Sequence, residues 1–257
     1  AIFAGSNGRF SHRCETIENE VKIKCANLST AAGLDINWQL SKYWDFLKKG
    51  DIIYLPLEYR SSQGVGAAVG SEAPFIVAYD KPALRMYRSY QLAHAIFYFD
   101  LPYMFSGIGE MFLHAAGKER RYSVGTLTRQ GDESGHNADK AKPYRDFVRT
   151  KKLPAVDISA YANMADIERI LAEADKRGVL VVGGLPTTFT EAVIEKAVWD
   201  LLKNFFVSRG HCFVMLENRS LYPRDDFYDT AHHLQENFQI AHSRMLAPIL
   251  EKISQTG

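Results

Sequence analysis

An α/β fold with a mostly parallel sheet covered by helices on both faces is predicted by two features of the sequence. Short, fully apolar runs of strand length alternate with longer segments of helical period, and glycine or proline closes most of these segments. The chain has 257 residues, is 46% hydrophobic and carries a formal net charge of +1, so it suits one large core over residues 1–257. The balanced charge excludes the basic excess that binding to a phosphate backbone needs, and nucleic acid is not an expected partner. Basic runs such as "GKERRY" (117–122) read as solvated faces.

In order along the chain, "AIFAG" (1–5) is a strand followed by a turn rich in glycine and asparagine, and "VKIKCANLS" (21–29) is a second strand. "LDINWQLSKYWDFLKKG" (34–50) repeats Ile36, Leu40, Tyr43, Trp44 and Leu47 at helical spacing and stops at Gly50. "DIIYLPLEY" (51–59) completes a strand–helix–strand unit, which implies parallel strands buried on both faces. The same alternation returns with a helix in "NMADIERILAEADKRG" (163–178), with Ile167, Ile170, Leu171 and Ala174 on one face, and a strand in "VLVVGGLP" (179–186). A helix over "TEAVIEKAVWDLLKNFFVSRG" (190–210), a strand in "HCFVMLE" (211–217) and a last helix from about Leu234 to Ile253 follow, the last with Phe238, Ala241, Met245, Ile249 and Ile253 as its buried stripe. The count is about five strands in a three-layer α/β/α sandwich with a flavodoxin-like sheet.

Residues 61–150 break this rhythm and read as an insertion of helices and loops into the core fold. The insertion holds a small-residue turn region, "SSQGVGAAVGSEA" (61–73), an aromatic helical region, "MYRSYQLAHAIFYFDLPYMF" (86–105), and a polar segment, "TRQGDESGHNADKAK" (128–142). No stretch reaches the roughly 18 apolar residues of a membrane span. The three cysteines, Cys14, Cys25 and Cys212, have no C-x-x-C spacing; Cys25 and Cys212, inside apolar runs, read as buried small hydrophobes, with a Cys14–Cys25 bridge allowed but not required.

Ligands of open parallel sheets bind beyond the carboxyl ends of the strands, so the residues just after each strand are the candidate site. After the first strand, "GSNGRFSH" puts Ser6 at the apex of a turn that Gly5 and Gly8 allow. After the second comes Gly33, whose amide can face a substrate oxygen, and after the third come Glu58 and Arg60. "FYDTAHHL" (227–234) supplies Asp229, His232 and His233 ahead of the last helix. A serine hydroxyl needs an imidazole to take its proton, and the imidazole needs an acceptor to fix its tautomer; these segments contain all three kinds of group. A metal site built from Asp229, His232, His233 and Asp225 or Asp226 is the rival reading. Adjacent histidines diverge and no His-x-x-x-His spacing occurs, so no metal or other cofactor is expected. His94, His114 and His242 read as packed or surface residues, and His12 as a solvated helix position.

The blocks "FAGSNGRFSH", "CANLSTAAG" and "DTAHHL", in this order, resemble the SGNH (GDSL-type) hydrolase superfamily. More narrowly, "LPLEY", "GGLPTTF" and "FYDTAHHLQENFQIAHSRML" are similar to SGNH-like proteins of bacterial polysaccharides and cell-wall polymers, a group that includes alginate O-acetylation proteins and the D-alanyl transfer protein of teichoic acids. The resemblance covers residues 1–60 and about 160–257, and only loosely the residues between. It implies Ser6 as nucleophile, the backbone amides of Ser6 and Gly33 as an oxyanion hole, and Asp229 as the group that orients the histidine. The superfamily's Asp-x-x-His spacing selects His232. The narrower group's histidine–leucine pair at the helix start selects His233, which is the preferred reading. The chain departs from the superfamily in having "PLEY" where a Gly-x-Asn-Asp block supplies a side-chain donor; an ionised Glu58 cannot donate, so either Asn7, Arg60 or Asn137 replaces that donor or the site lacks it. The activity implied is O-acetyl transfer to a polysaccharide, with a carbohydrate esterase or deacetylase and a silent polysaccharide-binding relative as alternatives. The implied partners are a polymer or oligosaccharide, and an acyl donor delivered by a protein or a membrane-embedded carrier. The implied setting is the cell envelope or periplasm, with an anchor upstream of residue 1, and the cytoplasm is the alternative.

Overall fold

The computed structural model describes residues 1–30, 36–59, 112, 116–117, 124–161 and 164–256. In chain order the elements are α1 (Ser6–Ser11), α2 (Cys14–Glu20), α3 (Ile36–Ser41), β1 (Ile52–Leu55), α4 (Ala138–Ala141), α5 (Arg145–Thr150), α6 (Ala165–Arg177), β2 (Leu180–Gly184), β3 (Thr188–Phe189), α7 (Lys196–Val207), β4 (Cys212–Val214), β5 (Leu221–Tyr222) and α8 (Glu236–Thr256). The architecture is α/β with parallel pairing: β1, β2 and β4 form one sheet in that order, and β3 and β5 form a second, two-stranded one. Ile2 bridges in parallel to both Tyr54 and Asn27, which places the first segment between β1 and the residues around 27.

Alternation along the strands divides the core. Ile53, Leu55 and Val181 pack with Leu40 of α3, with Ile167, Ile170, Leu171 and Ala174 of α6, and with Val198, Leu202 and Phe206 of α7. Ile2, Tyr54, Val182 and Val214 pack with Cys14 and Ile17 of α2 and with Leu246, Ala247 and Leu250 of α8. The α6 face is the one its spacing predicts, and Gly178 ends the helix at φ 65°, a left-handed cap that glycine adopts without a Cβ penalty.

Five elements differ from their periodicity. The strands expected over 1–5 and 21–29 shrink to single bridge residues, Ile2 and Asn27, because pairing there does not extend beyond one residue. The helix expected over 190–210 begins only at Lys196, because the residues before it are held by other segments: Thr190 N–H bonds to Tyr222 O, and Ile194 bridges in parallel to Val156. The helix expected to reach Gly50 ends at Ser41, where the turn tightens: Tyr43 N–H reaches the Leu40 carbonyl at 2.9 Å and the Ser41 hydroxyl bonds back to Trp38 O. In α8 the inward stripe is Gln239, His242, Ser243, Leu246, Ala247 and Leu250, while Met245 is exposed. The reason is polar. The first half of α8 lies on α1 and α2, where Gln239 Nε2 donates to the carbonyls of Arg9 and His12, Ser243 Oγ accepts the Arg13 N–H, and His242 meets His12. His12, expected in solvent, is fully buried for the same reason. The aromatic segment 86–105, the turn region 61–73, His94 and His114 lie outside the described residues.

The polar residues 127–136 clamp α1 and α2. Asp132 is buried and accepts the amides of Cys14 at 2.9 Å and Glu15 at 3.2 Å, capping α2 from outside its own chain segment. The neighbouring Glu133 pairs with Arg9. Cys14 and Cys25 form a disulfide with Cα atoms 5.1 Å apart, tying α2 to the segment that bridges Ile2, so Cys25 is cross-linked rather than a free small hydrophobe; Cys212 is a free thiol and half-buried. Closing a loop of 11 residues' separation in the unfolded chain is worth about 3 kcal/mol. Replacing both cysteines with serine is expected to lower the unfolding free energy in denaturant by that amount, and an unchanged midpoint would show that the bridge does not form.

Candidate active site

α1 begins immediately after the Ile2 bridge, so Ser6 stands beyond the carboxyl end of the first segment. Gly8 allows the helix to seat this closely: a Cβ there would lie 2.2 Å from Ser29 Oγ and 2.8 Å from Ala4 Cβ. Along α1, Ser6 and Phe10 are four residues apart and share one face.

The segment 226–235 folds back on itself. Tyr228 N–H donates to His233 O at 2.7 Å and Gln235 N–H to Asp226 O at 2.8 Å, while the Gln235 side-chain amide holds the carbonyls of Asp225 and Phe227. Within this loop Asp229 Oδ1 meets His233 Nδ1 at 2.6 Å, with both side chains buried. A carboxylate oxygen only accepts, so Nδ1 carries the proton and the opposite nitrogen, Nε2, is the basic one. The His233 ring stacks on Phe10 with centroids 4.2 Å apart and planes 14° from parallel. Asp229 thus stands against the second histidine, four residues on. His232 turns away: its Nδ1 donates to the Thr187 carbonyl at 2.9 Å, and its ring is half-buried.

The other sequence candidates divide. Glu58 reaches the start of α1, where its Oε1 accepts the Asn7 backbone N–H at 3.3 Å. Asn7 is buried, and its side-chain amide is directed into the protein, towards Thr187 and the His232 carbonyl. Asn137 is exposed and caps α4 through Oδ1, which accepts the Lys140 N–H. Gly33 and Arg60 lie outside the described residues. Asp225, a proposed metal ligand, instead pairs with Arg149 on the surface. Among the described residues no group of three or more His, Cys, Asp or Glu side chains converges as metal ligands would.

Three neighbours were not legible beforehand. Phe10 is the stacking partner of His233, and nothing in a lone phenylalanine distinguishes it from a core residue. Thr187 is fully buried three residues after β2, and its only signal was its place after a strand. His136, from the polar segment, stands edge-on to Phe10 at 5.2 Å and to Tyr228 at 5.7 Å. Burial pushes the His136 imidazole down to about 4 against the opposing pull of Glu236, with His233 nearby adding to the fall. The wall beside His233 is therefore aromatic and uncharged near neutral pH.

A scan of protein-family models finds none that matches this chain, and searches of curated proteins and of solved structures return no match.

Proposed function

We propose that this chain catalyses serine-dependent acyl transfer to a bacterial polysaccharide, as an O-acetyltransferase of the SGNH kind. The observation that carries the reading is the buried Asp229–His233 pair at 2.6 Å, stacked on Phe10 one helical turn from Ser6. In this mechanism Ser6 Oγ bonds to the acyl carbonyl carbon as its proton passes to His233 Nε2, and His233 then gives that proton to the departing group. A sugar hydroxyl next attacks the Ser6 ester, its proton goes to His233, and Ser6 is regenerated with the acyl group on the sugar. Asp229 holds the tautomer and steadies the imidazolium. The amides of Ser6 and Gly33 would face the developing oxyanion. If water replaces the sugar, the same groups make an esterase or deacetylase.

The fold proposed with this activity is a three-layer α/β/α sandwich with a flavodoxin-like sheet of about five strands, reached by counting the bridged segments around Ile2 and Asn27 with β1, β2 and β4. The Cys14–Cys25 disulfide favours an oxidising compartment such as the cell envelope or periplasm, where a membrane-embedded carrier would deliver the acyl group. Among the described residues no helix is long and apolar enough to cross a membrane.

One observation favours a second reading, a catalytically silent polysaccharide-binding relative. The Glu58 carboxylate occupies the Asn7 amide beside Ser6, where a donor to an oxyanion is wanted. A serine-reactive fluorophosphonate followed by tryptic mapping separates the two. Acyl transfer predicts a label on the peptide of residues 1–9, lost in Ser6→Ala. An unlabelled but folded wild-type chain sinks the acyl-transfer reading and leaves the binding one, and added oligosaccharide acceptors distinguish transferase from esterase.

A further inference from the structure

The carbonyl of His232 belongs to the peptide that joins the two histidines, and three side-chain donors reach it. Ser11 Oγ lies at 2.8 Å, Asn7 Nδ2 at 3.2 Å and Thr187 Oγ1 at 3.2 Å. These groups also bond to one another: Ser11 Oγ and Thr187 Oγ1 are 2.7 Å apart, and Asn7 Nδ2 donates to Thr187 Oγ1 at 2.9 Å. Each hydroxyl has one proton. Either Thr187 donates to Ser11 and Ser11 to the carbonyl, or Ser11 donates to Thr187 and Thr187 to the carbonyl. Both directions end on His232 O. The Asn7 amide admits no flip, because its Nδ2 faces three oxygens, those of the Thr187 carbonyl and hydroxyl and the His232 carbonyl.

Thr187 is the member anchored in the sheet. It follows β2 by three residues and precedes β3, whose Thr188 N–H is bonded to Ser220 O, so its backbone has little freedom. It also touches both histidines' setting at once, with its hydroxyl in the cluster on the joining peptide and its carbonyl on the His232 ring. Asn7, Phe10 and Ser11 come from one helix, so the cluster fixes the His232–His233 peptide against the same α1 that presents Phe10 to the His233 ring and carries Ser6.

We propose that Thr187 is a positioning residue: with Asn7 and Ser11 it locks the His232–His233 peptide onto α1, so that His233 stays between Phe10 and Asp229. The inference rests on the acyl-transfer reading for its kinetic consequence and on geometry alone for its spectroscopic one. Displacement of a general base by about 1 Å costs on the order of 100-fold in rate, which sets the scale expected for loosening this peptide.

The test uses the full chain and two near-isosteric variants, Thr187→Val, which removes the hydroxyl, and Thr187→Ser, which keeps it. With an activated acetyl ester, Thr187→Val is expected to lower kcat about 10- to 100-fold at a KM within about twofold of wild type, and Thr187→Ser to recover kcat to within about threefold. In proton NMR, the low-field Nδ1 proton that His233 shares with Asp229 is expected in wild type and Thr187→Ser and broadened away in Thr187→Val. Should Thr187→Val fail to fold, Ser11→Ala makes the same comparison from the helix side. A Thr187→Val chain that keeps both kcat and the low-field proton overturns the proposal, as does a loss of kcat that merely tracks the folded fraction and that serine does not restore. A wild-type chain without Ser6-dependent turnover defeats the acyl-transfer reading instead, and the NMR comparison then still decides the positioning role.

Discussion

His233→Ala is expected to remove acyl transfer almost entirely, by about 10³- to 10⁴-fold in kcat, while His232→Ala leaves it within about tenfold. The two imidazoles are adjacent in sequence but differ in what faces Nδ1. For His233 it is a buried carboxylate at 2.6 Å, which holds one tautomer and stabilises the positive ring formed when Nε2 takes a proton. For His232 it is the neutral Thr187 carbonyl at 2.9 Å, which fixes a tautomer without balancing a full charge. The stacking of His233 on Phe10, one turn from Ser6, adds a position to the electrostatic difference. Asp229→Asn should approach the loss of His233→Ala, because an amide nitrogen turned towards Nδ1 selects the wrong tautomer. The measurement is kcat with an activated acetyl ester for all three variants, after each is shown to be folded. Strong loss in His232→Ala with little in His233→Ala would assign the base to the other histidine.

The second large effect is acid instability. His242 is fully buried between the Tyr222 hydroxyl, 2.9 Å from Nδ1, and the His12 ring, 3.2 Å from Nε2, and burial pushes it down to about 4. His12, which also stands edge-on to Tyr54, is held well below its ordinary 6.5 by burial and by His242. His136 is pushed down to about 4 mainly by burial. In the unfolded chain each takes a proton as pH falls below about 6.5, whereas the folded chain resists until about 4. The unfolded state therefore binds more protons in this window. Stability is complete above pH 6.5 and is withdrawn as pH falls towards 4. A gap of this size corresponds to about 3 kcal/mol per group, and two such groups rival the roughly 5–15 kcal/mol of an ordinary domain. Denaturant unfolding at pH 7.5, 6 and 5 is expected to show a steep loss, with His242→Gln reducing the steepness by about one proton. Equal stability at pH 7.5 and 5 would contradict this account.

The same residues mark how far the sequence could be read. The α6 face, its Gly178 cap and the strands at 52–55, 180–184 and 212–214 follow from local pattern: side chains three and four apart on a helix, or two apart on a strand, share an environment whatever the rest of the chain does. The buried face of α8 does not follow from that pattern. Its inward side is part polar because α1 and α2 present carbonyls, an amide and a histidine to it, and these partners, 230 residues away in sequence, help make Gln239, His242 and Ser243 interior choices.

By itself the sequence determined the α/β class and the segments that carry Ser6, Glu58, Asp229 and the two histidines, because strand ends and glycine turns are local signals. Tertiary structure alone decided which histidine meets Asp229. The residues Asp229, His232 and His233 allow either pairing, and the choice falls to the closure of the 226–235 loop and to the Thr187, Ser11 and Asn7 contacts that turn the His232 ring aside. Those contacts join groups 45 to 225 residues apart, and no local periodicity encodes a hydrogen bond across such a distance.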